Sequence, residues 1–243
     1  MQRDTVQRPP RRVSLLPFED TIAFMQATRS TTLRRALTIL AALLIWKVIL
    51  SVLIEYRNYV PPNFQSDFLR GREHYFWGTY RWAFYVHLVS GPGSLMLGTI
   101  LVSDRLRTVA PTWHRRLGHV QAACVLFLVA PSGLWMARYA ATGAIAAAGL
   151  GSLAIATAVC VAFGWRSAVM RRIADHRRWM WRTFVLLCSA VVIRLIGGLA
   201  TVTHFDALWL YPFSTWASWL APLLILETGQ LLNSRQKVVA TSV

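Results

Sequence analysis

Acidic residues are scarce in this chain of 243 residues. Asp and Glu number 10 against 26 Lys and Arg, so the formal net charge is +16. A surplus of this size is typical of proteins that bind nucleic acid. Here, however, the basic residues stand in short blocks between long apolar runs. We therefore do not expect nucleic acid as a partner.

Cysteine is also scarce. Cys124, Cys160 and Cys188 all fall inside apolar stretches, and their spacing fits neither a disulfide framework nor a zinc site. We interpret them as small hydrophobic packing residues and expect no metal site built from them.

The familiar catalytic motifs are missing from the sequence. It contains no Walker A loop, no GxGxxG, no HExxH and no GxSxG, which are the patterns of phosphate-binding loops, zinc hydrolases and serine hydrolases. We assign no catalytic residue and favour a non-enzymatic protein.

Long apolar runs dominate what is present. Hydrophobic residues make up 55% of the chain, mean hydropathy is +0.43 and there are 11 tryptophans, which favour membrane–water interfaces. The runs have the length of a membrane span and predict an all-α bundle of about six transmembrane helices. They cover residues 36–55, 80–103, 117–137, 144–165, 180–200 and 208–231.

Arginines set the expected orientation. They concentrate in residues 1–35, in the second and fourth connections and near the C-terminus, so the positive-inside rule places both termini in the cytoplasm. Residues 1–35 are expected to be a largely disordered basic tail, and residues 232–243 a short one. The aromatic-rich loop of residues 56–79 is expected to lie at the membrane interface.

Two polar residues interrupt the apolar runs in the half opposite the basic connections. His87 is followed by a stripe of small residues that permits a close neighbour or a flat ligand, and Pro92 should free a backbone carbonyl. Arg194 needs a carboxylate, carbonyls or a ligand as its partner. It follows His176 by 18 residues, about 27 Å along a helix and close to the thickness of a bilayer core.

Basic residues open the third and fifth spans. At helix N-termini, exposed N–H groups already favour anions, so these residues predict a rim that contacts anionic lipid headgroups. Alternatively, these basic residues only orient the spans in the membrane, or they form a defined phosphate, phospholipid or nucleotide site. Glu227 is a candidate counter-charge for one of the arginines. The rim consists of His114, Arg115, Arg116, His119, His176, Arg177, Arg178 and Arg182.

The order and spacing of these residues resemble a bacterial family of polytopic membrane proteins catalogued as domain of unknown function 2306. The most specific part is the run His176-Arg177-Arg178-Trp179-Met180, and the resemblance covers residues 80–230. The sequence departs from the family at His119 and Gln121, and at Ala221-Pro222. The other matching positions are His87, Gly91, Gly98, Arg105, Arg107, His114, Arg115, Gly118, Arg182, Arg194, Trp219 and Glu227.

The resemblance implies a multi-pass protein of the bacterial inner membrane and leaves three hypotheses of function. The first is binding or movement of an anionic or amphiphilic ligand. The second is electron transfer through b-type haem or quinone, with His87, His119 and His176 as candidate haem ligands. The third is a structural or accessory subunit. The candidate ligand-binding residues are His87, Arg115, His119, His176, Arg177, Arg178, Arg182, Arg194 and Glu227.

Overall fold

The computed structural model describes the backbone of residues 18–241 and the side chains of residues 32, 33 and 35–232. By their contacts, the described residues divide after Leu43 into two units. The first contains the beginning of helix α1, in which Leu33, Leu37, Leu40 and Leu43 are exposed; the second contains the described residues that follow. The helices are α1 (Phe18–Glu55), α2 (Glu73–Tyr75), α3 (Arg81–Leu101), α4 (Asp104–Val109), α5 (Pro111–Cys124), α6 (Ala130–Ala137), α7 (Ala144–Val169), α8 (Ile173–Leu187), α9 (Ser189–Val202) and α10 (Leu210–Thr241).

This architecture confirms the all-α prediction, since residues 18–241 contain no β-strand. Five segments within the described residues have the length and hydropathy of a membrane span. The sixth predicted stretch is helical as well, but α10 is less apolar because Ser214, Thr215, Ser218 and Glu227 interrupt it. The five spans are Arg35–Asn58, Glu73–Leu101, Pro111–Ala137, Ala144–Val169 and Ile173–Val202.

The structure describes only part of the two predicted tails. Residues 1–17 and 242–243 lie outside the described residues, whereas residues 18–35 belong to α1 and residues 232–241 to α10. The expected cytoplasmic position of both tails stays a prediction.

The antiparallel course of the spans gives the bundle two ends. The end that carries the beginnings of α5 and α8 and the end of α7 is called the basic end below. The end that carries residues 56–80, the α6–α7 turn and the beginning of α10 is called the aromatic end. At the aromatic end the Trp216 indole donates a hydrogen bond to the Ile145 carbonyl (3.1 Å), which fixes the beginnings of α7 and α10 side by side.

The interior between the helices is partly polar. Gln121 of α5, only 1% exposed, donates to the Ser94 carbonyl of α3 (3.0 Å) and accepts a hydrogen bond from the Ser94 hydroxyl (3.4 Å). One departure from the family pattern is thus a buried bridge between two helices. Small residues allow the other close approaches, as at Gly98, where a Cβ atom would lie 3.2 Å from the Phe184 ring of α8.

The loop expected at the membrane interface folds onto the helix ends. Leu69, Phe76, Tyr80 and Phe84 form a buried cluster, and further rings pack around it. Phe76 and Tyr80 lie in a π-helical turn that leads directly into α3. We call this cluster the aromatic cap.

Arg72 ties the aromatic cap to the rest of the bundle. Its guanidinium donates to the carbonyls of Phe68 (2.6 Å) and Tyr139 (2.9 Å) and to the Tyr75 hydroxyl (3.0 Å). It also lies 4.7 Å from the centre of the Phe68 ring. One side chain therefore connects the loop, α2 and the α6–α7 turn.

Replacing Arg72 with Gln should loosen the aromatic cap without unfolding the bundle. A Gln side chain can replace only part of this set of hydrogen bonds, and bonds from charged donors contribute about 1.5–3 kcal/mol each. Hydrogen exchange of residues 64–76 should accelerate at least tenfold, while that of α7 stays unchanged. Arg70→Gln is the control, because both recorded contacts of Arg70 are exposed: a 3.2 Å hydrogen bond to the Gln65 carbonyl and a long, 3.7 Å ion pair with Asp67. Equal exchange in both variants would contradict the anchoring role of Arg72.

Candidate functional site at the two ends of the bundle

At the basic end, two histidines from different helices meet the same turn of α7. The ring N–H at Nδ1 of His176 donates to the Gly164 carbonyl (2.9 Å), because a carbonyl can only accept. The His119 ring lies 6.1 Å from the ring of the next residue, Trp165. The imidazoles of His114 and His176 are also near enough to interact electrostatically. The structure thus brings together the beginnings of α5 and α8, which the sequence separates by some 60 residues.

The arginines beside these histidines are open to the surroundings. Arg115, Arg177 and Arg178 are exposed and form no ion pair within the described part of the chain. Arg116 is exposed too and lies over the Trp113 ring at 5.6 Å. Their N–H groups remain available to an anion.

Arg182 differs from its neighbours because it is paired. Its Nε and Nη2 atoms donate to the two carboxylate oxygens of Glu227 at 2.6 and 2.9 Å, and its guanidinium lies 4.5 Å from the Trp179 ring. This bidentate contact joins α8 to α10 and confirms that Glu227 is the counter-charge of one of the arginines. The pair occupies the half of the bundle nearer the basic end.

His87 occupies a pocket shaped by glycine. Its Nδ1 atom lies 3.1 Å from the Ser132 hydroxyl, next to the π-helical turn Val125–Val129. A Cβ atom at Gly133 would lie 3.2 Å from the His87 ring, and one at Gly91 would lie 3.7 Å from it. The imidazole itself fills the space beside Gly91 that the sequence left open to a neighbour or a flat ligand.

Arg194 is nearly without partners. Its guanidinium donates only to the Ala190 carbonyl of its own helix (2.9 Å) and forms no ion pair with any described residue. It is near enough to His87 and to three tyrosines, Tyr56, Tyr59 and Tyr211, to interact with them electrostatically. The two polar residues predicted for this half of the bundle therefore lie near each other.

Two of these tyrosines have distinct local roles. The Tyr56 hydroxyl donates to the Leu88 carbonyl, the acceptor that Pro92 leaves without an N–H partner four residues later. Burial, reinforced by the Glu55 carboxylate and opposed by Arg194, raises the pKa of the Tyr59 phenol. Tyr59 thus remains a neutral hydrogen-bond donor at physiological pH.

The three histidines proposed as haem ligands are divided between two places. His119 and His176 meet at α7 near the basic end, whereas His87 lies at the π-helical turn with Ser132. Within the described residues no group of three His, Cys, Asp or Glu side chains has the arrangement of a metal site.

Several residues of these sites carry no recognisable signal in the sequence. Tyr56 and Arg72 stand in the loop region, and Gln121 looked only like a departure from a family pattern. The one available clue was Pro92, which requires a donor for a carbonyl but does not say which residue supplies it.

These features define a polytopic α-helical membrane protein with charged groups at both ends of its bundle. The chain belongs to the family described as predicted membrane protein (DUF2306), whose model matches residues 84–228, more than half of its length. Comparisons with curated proteins and with solved structures found no match. The family match runs from the beginning of α3 to Glu227 and its neighbour in α10.

Proposed function

We propose that this membrane protein binds an anionic amphiphile, with the phosphate of a lipid headgroup held at the basic end. The observation that carries the proposal is the meeting of His119 and His176 on one turn of α7. The exposed arginines of α5 and α8 stand beside these histidines in the sequence, which supports a common position for an anion.

The chemistry of the basic end suits a phosphate. Arginine presents several N–H donors in a planar fork that matches phosphate oxygens. The beginnings of α5 and α8 add backbone N–H groups, which favour anions. The exposed Trp113 provides an amphipathic ring of the kind that prefers the headgroup region.

We further propose that the basic end faces the cytoplasm of a bacterial inner membrane. The positive-inside rule supports this orientation, and anionic lipids of the cytoplasmic leaflet would then be the available ligands. With the same orientation, the aromatic end faces the opposite side of the membrane.

The test compares two charge-matched double variants of the full chain. Arg177→Gln/Arg178→Gln removes two cations from the basic end, whereas Arg57→Gln/Arg138→Gln removes two exposed cations from the aromatic end. Since each arginine near an anionic surface contributes about 1 kcal/mol, the first variant should weaken phosphatidylglycerol binding at the basic end roughly 30-fold.

Native mass spectrometry in mild detergent would measure the binding, with phosphatidylcholine as the neutral lipid. The aromatic-end variant should bind phosphatidylglycerol at the basic end as the wild type does. Equal loss in both variants would mean that total charge attracts the lipid, and no loss in either would refute a site at the basic end.

A further inference from the structure

Arg194 lies at a depth where an unpaired cation is costly. It precedes Val202, the last residue of α9, by eight positions, which is about 12 Å along the helix. Within a hydrocarbon core about 30 Å thick, a charge at this depth needs a compensating group. Its only partner in the described part of the chain is the Ala190 carbonyl.

The three tyrosine hydroxyls near Arg194 are hydrogen-bond donors and carry no negative charge. Tyr56 and Tyr59 follow from α1, and Tyr211 belongs to the beginning of α10. The Tyr56 hydroxyl is engaged with the Leu88 carbonyl, whereas no hydrogen bond of the Tyr59 and Tyr211 hydroxyls is present among the described residues. The guanidinium and these two hydroxyls are donors close enough to interact electrostatically, and in the described part of the chain only the guanidinium has an acceptor, the Ala190 carbonyl.

The face of α9 that carries Arg194 is open. Ala190, Gly197, Gly198 and Thr201 share this face and are all exposed. A Cβ atom at either Gly197 or Gly198 would meet nothing within 4 Å. Small residues thus line the route along α9 from the aromatic end down to the guanidinium.

We propose that Arg194, Tyr59 and Tyr211 form a second binding site, which holds the anionic headgroup of a lipid in the leaflet at the aromatic end. The headgroup reaches Arg194 along Thr201, Gly198 and Gly197, and its oxygens accept hydrogen bonds from the guanidinium and the phenols. Charge complementarity identifies the occupant, because Arg194 forms no ion pair with any described residue and an oxyanion supplies the opposite charge. This site is separate from the basic end and does not depend on the function proposed there.

The experiment measures phosphatidylglycerol bound to the full chain by native mass spectrometry. It uses the background Arg177→Gln/Arg178→Gln, in which the site at the basic end is weakened. In this background Arg194→Gln should weaken phosphatidylglycerol binding at least tenfold, and Arg194→Lys should weaken it less because the charge remains. Arg57→Gln, which removes an exposed cation at the same end, should change it less than twofold.

A second variant keeps the charge and blocks the route. Gly198→Leu places a side chain in open space, so the fold should persist while binding falls at least tenfold. Gly229→Leu is its control, because Gly229 also faces open space but lies in the second half of α10, away from the aromatic end. Unchanged binding in folded Arg194→Gln and Gly198→Leu would overturn the proposal.

Two further compounds, tested in the same binding assay, identify the occupant. Phosphatidylcholine should bind at least tenfold more weakly than phosphatidylglycerol, because it carries no net charge. Inorganic phosphate should not displace the lipid at equal concentration, because it lacks acyl chains. Displacement by inorganic phosphate would overturn the assignment to a lipid and leave a site for a free anion. Equal binding of both lipids would overturn the role of charge.

Discussion

Replacing Glu227 with Ala is expected to lower the free energy of unfolding by about 3 kcal/mol. The Arg182 and Glu227 side chains are only 22% and 33% exposed, and bilayer or detergent covers part of what remains. Removing one partner of such a pair leaves the other charge unsolvated, which typically costs 3–5 kcal/mol. Thermal unfolding in mild detergent would show the loss as a lower Tm.

The double variant Arg182→Met/Glu227→Leu distinguishes the effect of removing the whole ion pair from the effect of leaving one charge unpaired. Apolar residues of similar volume often replace a buried ion pair with little loss, so this variant should recover most of the stability that Glu227→Ala loses. Arg177→Ala is the control, since Arg177 is exposed and unpaired, and it should change the stability by less than about 0.5 kcal/mol. Equal Tm values for Glu227→Ala and Arg177→Ala would show that the pair does not hold α8 and α10 together.

The second large effect is expected where α7 and α10 approach each other at Gly149. A Cβ atom there would lie 2.7 Å from the Thr215 hydroxyl and 3.0 Å from the Trp216 indole nitrogen. Thr215 is fully buried, and Trp216 is held by its hydrogen bond to the Ile145 carbonyl. Gly149→Ala should therefore force the helices apart and cost about 1–3 kcal/mol, as overpacking does.

Gly151, two residues later on the same helix, provides the control. It is buried as well, but its nearest neighbour, a Leu134 methyl group, would lie at an ordinary 3.5 Å from the new Cβ atom. Gly151→Ala should leave the Tm within about 2 °C of the wild type, since it removes one glycine from a helix without a clash. If both variants unfold at the same temperature, the approach at Gly149 is not a constraint on the fold.

Hydropathy predicted the helical spans well but their ends less well. The predicted span 180–200 covers parts of two consecutive helices, α8 and α9, and the first of these begins at Ile173. Helical turns from Glu73 precede α3, which covers most of the predicted span 80–103. In both cases polar or aromatic residues continue a helix beyond its apolar part. Average hydropathy detects the portion suited to lipid, whereas hydrogen bonding and packing decide where the helix ends.

The sequence indicated which residues belong to the sites better than it indicated which residues they contact. A carboxylate in a strongly basic chain is a natural counter-charge, so Glu227 was identified, but its pairing with Arg182 depends on how α8 and α10 pack. The contacts of Arg72 with the aromatic cap depend on the path of a loop, which has no periodic pattern. Partners that lie far apart in the sequence become visible only when the helices are placed in space.

The break that Pro92 makes in the α3 hydrogen-bond ladder reaches beyond α3 itself. The family match begins at residue 84, yet the Leu88 carbonyl inside it receives its hydrogen bond from Tyr56, which follows α1. A fragment trimmed to the matched residues would expose that carbonyl to the hydrocarbon, where an unsatisfied polar group costs several kcal/mol. The smallest portion of this protein that folds independently should therefore include Tyr56 and the end of α1, whose Ile45, Val48 and Ile49 pack with Leu95 and Val191 in one buried cluster.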